Sequence, residues 1–302
     1  SGLDSLIDAC DAVSVVTPDQ HHAEPSIRIL EAGRHLLCEK PLTVTLEDSR
    51  KVARAAVKAS EKGVVHMTNF SYRSSAGFQE AIKLVREGKL GHLRHTHSFY
   101  LQTWLSNDLW GNWSTEGFLW RLDKRTSGGV LGDVGCHILD MTTAIVGEVK
   151  RVRCDLRTFP KVHEGKLVTK HGGKNLDAND SAIISLEFGD GSVGIVQTTR
   201  WATGHLNSLR CEVHGTEGAL CVDLDKSYRS IDLCLGRDAK KAVWKTKELK
   251  PTPNNYQRFI KSIKTGRQDQ PDILRGAQIQ AYLDACERSA ESGQWEDVAA
   301  WV

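Results

Sequence analysis

The stretch AVSVVTPDQHHAEPSIRILEAGRHLLCEKP, residues 12–41, decides the fold class. Its opening AVSVVT (12–17) is a short β-branched run stopped by Pro18, the mark of a buried strand. A helical pattern follows through Ile27, Leu30 and Ala32, and Gly33 ends it. HLLCE (35–39) is a second apolar strand, closed by Pro41. TLED, from Thr45, has the look of a capping box and opens a helix running to about Lys62, with Gly63 beyond its end. Val64–Asn69 reads as a third strand. Strand, helix, strand, helix, strand at these spacings means βαβ units and a parallel sheet.

Downstream the pattern changes. A helix over 76–87 puts Phe78, Ile82 and Val85 on one face. From His92 the residues alternate by two, through Leu93, His95, His97, Phe99 and Leu101. One helix is expected near Gly129–Val146. Strands at 150–159, 181–188, 193–201, 209–214 and 219–224 then follow one another, which implies a large, mainly antiparallel sheet. Two helices, near 254–265 and 272–292, close the chain. The division expected is a Rossmann dinucleotide-binding domain over 1–75 and a substrate and oligomerisation domain over 76–302, with the last helices available to pack back on the first.

Composition narrows the function. Hydrophobic residues make up 40% and charged residues 26%, as in an ordinary soluble globular chain. A formal net charge of +2 with scattered Lys and Arg gives no phosphate-backbone footprint, so nucleic acid is not an expected partner. No apolar run reaches the roughly 18 residues of a membrane helix, and SGLDSLIDAC lacks the basic and apolar regions of a secretory signal. The eight cysteines include no CxxC pair or zinc-ligand spacing, so they read as buried reduced thiols of a cytoplasmic protein, with no metal.

One G-x-G-x-x-G is present, Gly189, Gly191 and Gly194 in FGDGSVGIV. A dinucleotide fingerprint must open a helix, whereas here a second strand follows, so Asp190-Gly191 is a hairpin turn. The informative positions lie elsewhere. Ligands of open parallel sheets bind at the carboxyl ends of the strands. The first strand exits into Thr17-Pro18-Asp19-Gln20-His21-His22 and the second into Glu39-Lys40-Pro41. A third cluster is TSGGVLGDVGCHILD, residues 126–140. Asp133 and His137 lie four apart and share a helix face, among glycines that cost a helix about 1 kcal/mol each against alanine.

These segments together resemble the Gfo/Idh/MocA oxidoreductases, the glucose–fructose oxidoreductase, inositol dehydrogenase and rhizopine-catabolism group. The resemblance extends through EGKLGHLRHTHSFY, Trp120-Arg121 and PDILRGAQIQAYLDA to nearly the whole chain. It implies a partial Rossmann parallel sheet plus a second domain on a large open antiparallel sheet. It also implies NAD or NADP as cofactor and a sugar, cyclitol or related polyol as substrate. Lys40, Asp133 and His137 match the family's catalytic residues. Thr17, Pro18, Asp19, His22, Glu39, Lys40 and Pro41 match its cofactor-side loops, and Arg73, Trp120, Arg121, Asp133 and His137 its substrate side. The chain departs from the family pattern in carrying Asp19 where T-P-N is usual, and Ser71-Tyr72-Arg73-Ser74-Ser75-Ala76 where N-Y-R-F-x-P is usual. The family's opening unit, with its phosphate-binding glycines, would occupy roughly 60 residues before Ser1, and the 302-residue chain is expected to bind nicotinamide weakly without it.

The chemistry expected is hydride transfer, with either His137 or Lys40 as the base. Trp104, Trp110, Trp113 and Trp120 either face a sugar ring or anchor a long loop. Two other readings stand beside this one: a non-catalytic carbohydrate-binding or assembly module, and a metal hydrolase using Asp133 and His137. Apolar residues on both faces of strands such as SLEF and VGIVQTT point to a homodimer or homotetramer through the open sheet.

Overall fold

A computed structural model describes residues 2–302, and the chain forms two compact units. The first holds the residues up to Arg73 together with Pro253–Asp284 and Ala299–Val302. The second holds Ser74–Thr252 and Ala285–Val298.

In the first unit, helix α1 (Gly2–Ala9) leads into strand β1 (Ala12–Val15), helix α2 (Ala23–Glu31), strand β2 (His35–Cys38), helix α3 (Leu46–Ser60) and strand β3 (His66–Thr68). β1, β2 and β3 lie in that order and pair in parallel, Val13 opposite Leu36 and Leu36 opposite His66. The expected βαβ arrangement is therefore present, and α1 is an addition the sequence pattern did not mark. Ile29, Leu36, Val52 and Ala56 are fully buried in one core, each large aliphatic side chain contributing about 1.5–3 kcal/mol. Thr45 caps α3 by accepting from the Asp48 amide at 3.1 Å, but Asp48 is a methylene shorter than the Glu of a full box and bonds the Thr45 hydroxyl instead.

The second unit opens with helix α4 (Ala76–Arg86) and the long strand β4 (Leu93–Gln102). Phe78 and Ile82 of α4 are buried as expected, but Leu84 rather than Val85 completes the buried face. A loop with one short turn, α5 (Glu116–Leu119), leads to a π-helical segment, Leu131–Gly135, and then helix α6 (Cys136–Val146). Strand β5 (Val149–Arg157) is followed by two small hairpins, β6 (Lys161–His163) with β7 (Lys166–Val168), and β8 (Lys170–His171) with β9 (Lys174–Asn175). Strands β10 (Ser181–Phe188), β11 (Val193–Thr199), β12 (Asn207–Gly215), β13 (Gly218–Asp223), β14 (Ser230–Leu235) and β15 (Lys245–Glu248) complete the run. Helix α7 (Asn255–Thr265) belongs to the first unit, where Phe259 packs with Leu37, Val65 and Met67. Helix α8 (Ile273–Ser292) gives its residues up to Asp284 to the first unit and the remainder to the second, and strand β16 (Glu296–Asp297) follows.

Nine strands form one sheet in the order β15-β14-β13-β12-β4-β11-β10-β5-β16. The sheet is mainly antiparallel, as expected, with one exception: β4 and β11 pair in parallel, Ile195 opposite His97. A parallel pair needs a crossover of a dozen residues or more; everything from the loop after β4 to β10 serves as one. Alternation along β10 and β11 sends Ile184, Leu186 and Val196 into the core and leaves Ile183, Val193 and Ile195 exposed on the other face.

The GDGSVG segment is the β10–β11 turn, with Gly191 at φ +82°, so it is a hairpin and no phosphate loop. The helix expected over 129–146 is interrupted by the π segment. Gly129 starts it at φ +65°, and an added Cβ would lie 2.6 Å from the Asn179 side chain. Asn179 occupies that space because it caps the helix from outside, accepting from the Leu131 amide at 2.8 Å and donating to the Gly128 carbonyl at 3.2 Å.

Candidate active site

Each unit carries one set of the residues marked in the sequence. In the first, the chain leaves β1 through exposed Thr17 and Pro18, then makes a 3-10 turn over Asp19–His21. Asp19 is buried, and His22, 1% exposed, stands at the start of α2. The His22 ring joins the two strand exits: Nε2 lies 2.7 Å from the Thr17 carbonyl and Nδ1 2.9 Å from the Pro41 carbonyl. Glu39 accepts from Asn69 Nδ2 at 2.6 Å and from the Lys40 amide at 3.3 Å. Asn69 is itself tied to the β2 end, its amide donating to the Cys38 carbonyl at 2.7 Å. One histidine thus ties the two exits together. Cys38, next to Glu39, is an inert thiol, since burial pushes it up to about 12. Arg73 is buried in the short turn Ser71–Ser74 at the end of this unit.

In the second unit the π segment presents Asp133, with a side chain 26% exposed, and the first turn of α6 presents His137, 8% exposed. A π turn inside an α-helix is rare and is found mostly at functional positions. Asp133 Oδ2 accepts from Arg200 Nη2 at 2.8 Å, and Arg121 Nε lies 3.9 Å away. Arg200 is fully buried; its Nη1 donates to the Arg121 carbonyl at 3.3 Å and its guanidinium lies 4.8 Å from the Trp104 ring. The Arg121 guanidinium stacks 4.3 Å from Trp120. Tyr100, on β4, approaches the His137 ring at 6.2 Å between centroids and donates from its hydroxyl to Asn207 Oδ1 at 2.7 Å.

The tryptophans divide. Trp104 and Trp113 are buried with Leu119, Leu122 and Leu176 and anchor the loop after β4, while Trp110 is exposed. Asp123 pins that loop: Arg125 holds its carboxyl well below the usual range, at about 2. A second buried ion pair, Lys161 Nζ to Asp180 Oδ2 at 2.6 Å, lies close beneath, and the Arg200 amide donates to the Asp180 carbonyl at 3.0 Å. Burial lowers the Lys161 ammonium. Arg200, Asp180, Lys161 and Asn179 were all missed by sequence reasoning. A signal existed for two of them. Arg200 continues the inward phase of Val196 and Thr198, and Asp180 that of Ala182 and Ile184, so strand alternation places both inside.

A larger cavity of about 1010 Å³ opens among the turns near Lys89, Thr216 and Arg237, and it contains none of the marked residues. The metal-hydrolase reading gains no support at Asp133, where two guanidinium groups already meet Oδ2, at 2.8 and 3.9 Å.

Residues 1–69 match the model of the oxidoreductase family with an NAD-binding Rossmann fold, and residues 78–221 match the GFO/IDH/MocA C-terminal domain. Levoglucosan dehydrogenase of Pseudarthrobacter phenanthrenivorans is 31% identical over 97% of this chain and 82% of its own length. The scyllo-inositol 2-dehydrogenase (NAD(+)) of Bacillus subtilis is 28% identical over 70% of this chain and 55% of its own. A structure of levoglucosan dehydrogenase in complex with NADH and levoglucosan superposes with a TM-score of 0.85 at 29% identity, covering 98% of this chain and 83% of that one. The polar exits of β1 and β2 and an Asp/His pair on a glycine-rich helix thus sit in a chain that belongs to the Gfo/Idh/MocA family of oxidoreductases.

Proposed function

We infer that this oxidoreductase moves a hydride between a nicotinamide cofactor, NAD or NADP, and a carbinol or carbonyl of a sugar, cyclitol or related polyol, and that Lys40, Asp133 and His137 carry the reaction. The observation supporting the assignment is the Asp133 carboxylate held by a buried arginine one helical turn before His137.

The strand exits of the first unit fit the cofactor. Thr17 offers an exposed hydroxyl that donates to the His21 carbonyl and can accept, Glu39 an accepting carboxylate fixed by Asn69, and Lys40 a half-buried donor, a mixed set suited to a ribose diol and a carboxamide. Thr17, Pro18, Asp19, His22, Glu39, Lys40 and Pro41 would hold the nicotinamide side. When bound, the cofactor supplies the hydride acceptor or donor. The chain supplies proton transfer and orientation. His137 takes the hydroxyl proton, as histidine can near neutral pH. Asp133, held in place by Arg200, aligns that hydroxyl and stabilises the imidazolium. Lys40 offsets negative charge developing on the oxygen, or serves as the base in place of His137. Arg73, Trp120 and Arg121 border the substrate.

The decisive assay incubates the enzyme with each nicotinamide and a panel including levoglucosan, inositols and aldoses, following absorbance of the reduced cofactor. Turnover of at least one polyol is expected. No turnover of any panel member with either cofactor between pH 6 and 10 would overturn the reading.

The chain also assembles, on this reading, into a homodimer or homotetramer through the exposed face of the nine-stranded sheet. Ile183, Val193 and Ile195 are 56%, 46% and 36% exposed there, an apolar strip along neighbouring strands. Sedimentation equilibrium at micromolar concentration should give a multiple of 33.5 kDa; a monomer would contradict it. Seven buried thiols suit a reducing cytoplasm, and among the described residues no helix is long and apolar enough to cross a membrane.

A further inference from the structure

We propose that a cavity beside Trp120 is a subsite for a second, neutral sugar ring, so that the preferred substrate is a disaccharide or other glycoside and not a free monosaccharide. The inference rests on the reading of Asp133 as a substrate contact. The cavity, about 540 Å³, is lined by Glu116, Leu119, Trp120, His171, Gly172 and Lys174 among others. Its size lies within the roughly 300–1,000 Å³ of small-molecule sites.

Two inserted segments build it. The loop after β4 supplies Glu116, Leu119 and Trp120, and the β8–β9 hairpin supplies His171 and Lys174. The hairpin can close on the loop because Gly172 has no side chain: at φ +52°, its Cβ would fall 2.6 Å from Leu119 Cδ1. The His171 ring is fixed between neighbours, with centroids 4.2 Å from His163 and 5.7 Å from Trp113. A wall this ordered, made of surface insertions, is more than a hairpin needs for its own pairing.

The lining chemistry selects the ligand. Leu119 and the Trp120 indole offer apolar surface to ring C–H groups, and Glu116, His171 and Lys174 offer an acceptor and donors to hydroxyls. One carboxylate balances one ammonium, which suits an uncharged polyol and not a sugar acid or phosphate. Position supplies the connection. Arg121, next in the chain to Trp120, stacks on it at 4.3 Å and reaches to 3.9 Å from Asp133. The cavity wall and the candidate catalytic carboxylate are therefore joined through one stacked Trp120–Arg121 pair.

The test compares glucose, methyl β-glucoside and a panel of glucose disaccharides, by turnover and by titration calorimetry with the same sugars. One disaccharide should exceed glucose in kcat/KM by on the order of tenfold. In Glu116→Ala/Lys174→Ala that ratio should fall about tenfold, mainly through KM. Lys174→Met alone carries the same test if the double variant fails to fold. Oxidation of glucose with no disaccharide preference, or a preference the variants keep, would overturn the subsite and leave the dehydrogenase reading standing. No oxidation of these sugars or of the levoglucosan, inositol and aldose panel, with a disaccharide binding more tightly than glucose and the preference lost in the variants, would uphold the subsite and sink the catalytic reading. No oxidation of any of these compounds and no selective binding would overturn both.

Discussion

Replacing His137 with glutamine should lower kcat by about 10²–10⁴-fold, the usual contribution of a general acid–base group, with little change in fold. Glutamine keeps most of the volume of a side chain that is 8% exposed, so packing against Tyr100 largely survives. What goes is a nitrogen able to accept a proton near neutral pH. The loss should fall on kcat and kcat/KM alike, because the proton moves only in the transition state. The pH profile separates the two candidate bases. If His137 is the base, H137Q loses the acidic limb of the rate profile. If H137Q keeps kcat within threefold of the parent and that limb intact, the base is Lys40, and Lys40→Met should then show the large loss instead.

Much of the fold is legible in the sequence. The strands at 181–188 and 193–199 alternate by two, and an alternating run can bury one face in only one register. The exits of β1 and β2 were legible because each short apolar run ends beside a proline and turns polar, at Asp19-Gln20-His21-His22 after Pro18 and at Glu39-Lys40 before Pro41. The parallel β4–β11 pair was not legible, since nothing within a strand records which distant strand lies beside it. The two small hairpins escaped notice because their strands are two or three residues long and mostly polar. Their turns were nonetheless signalled, by Glu164-Gly165 and Gly172-Gly173, all four at positive φ. The π turn at Asp133 was hidden for a different reason. An i,i+4 spacing reads the same in sequence whether the backbone slips or not, and the slip accompanies a cap from Asn179, 46 residues further on. Arg200 shows how an element's phase extends past its end. A charge after a strand is commonly taken as solvent-facing, yet parity with Val196 and Thr198 already put it inside.

Arg200→Met should weaken both stability and catalysis, and the two losses should separate in a double-mutant cycle. Arg200 is the largest fully buried side chain, and its guanidinium faces one carboxylate, one carbonyl and the Trp104 ring. Removing one partner of a buried ion pair costs about 3–5 kcal/mol where the other charge stays buried. Asp133 is 26% exposed and keeps Arg121 at 3.9 Å, so water and that second arginine recover part of this. A net loss of about 2–3 kcal/mol is expected, a fall in Tm of roughly 5–10 °C for a unit of this size. Methionine fills similar volume over Trp104, which confines the change to charge and hydrogen bonding. Catalysis should suffer separately. An Asp133 no longer held from below can rotate away from the substrate hydroxyl, and misplacement on the order of 1 Å costs about 10²-fold. The cycle pairs Arg200→Met with Asp133→Asn. If Arg200 acts on the reaction through Asp133, its effect on kcat should nearly vanish in the Asp133→Asn background, a coupling above about 1 kcal/mol. If Arg200 is structural only, kcat in R200M should stay within about twofold of the parent at temperatures below the lowered Tm, and the two substitutions should add. That second outcome would leave the buried arginine as a fastener of the loop after β4 and remove it from the account of the reaction.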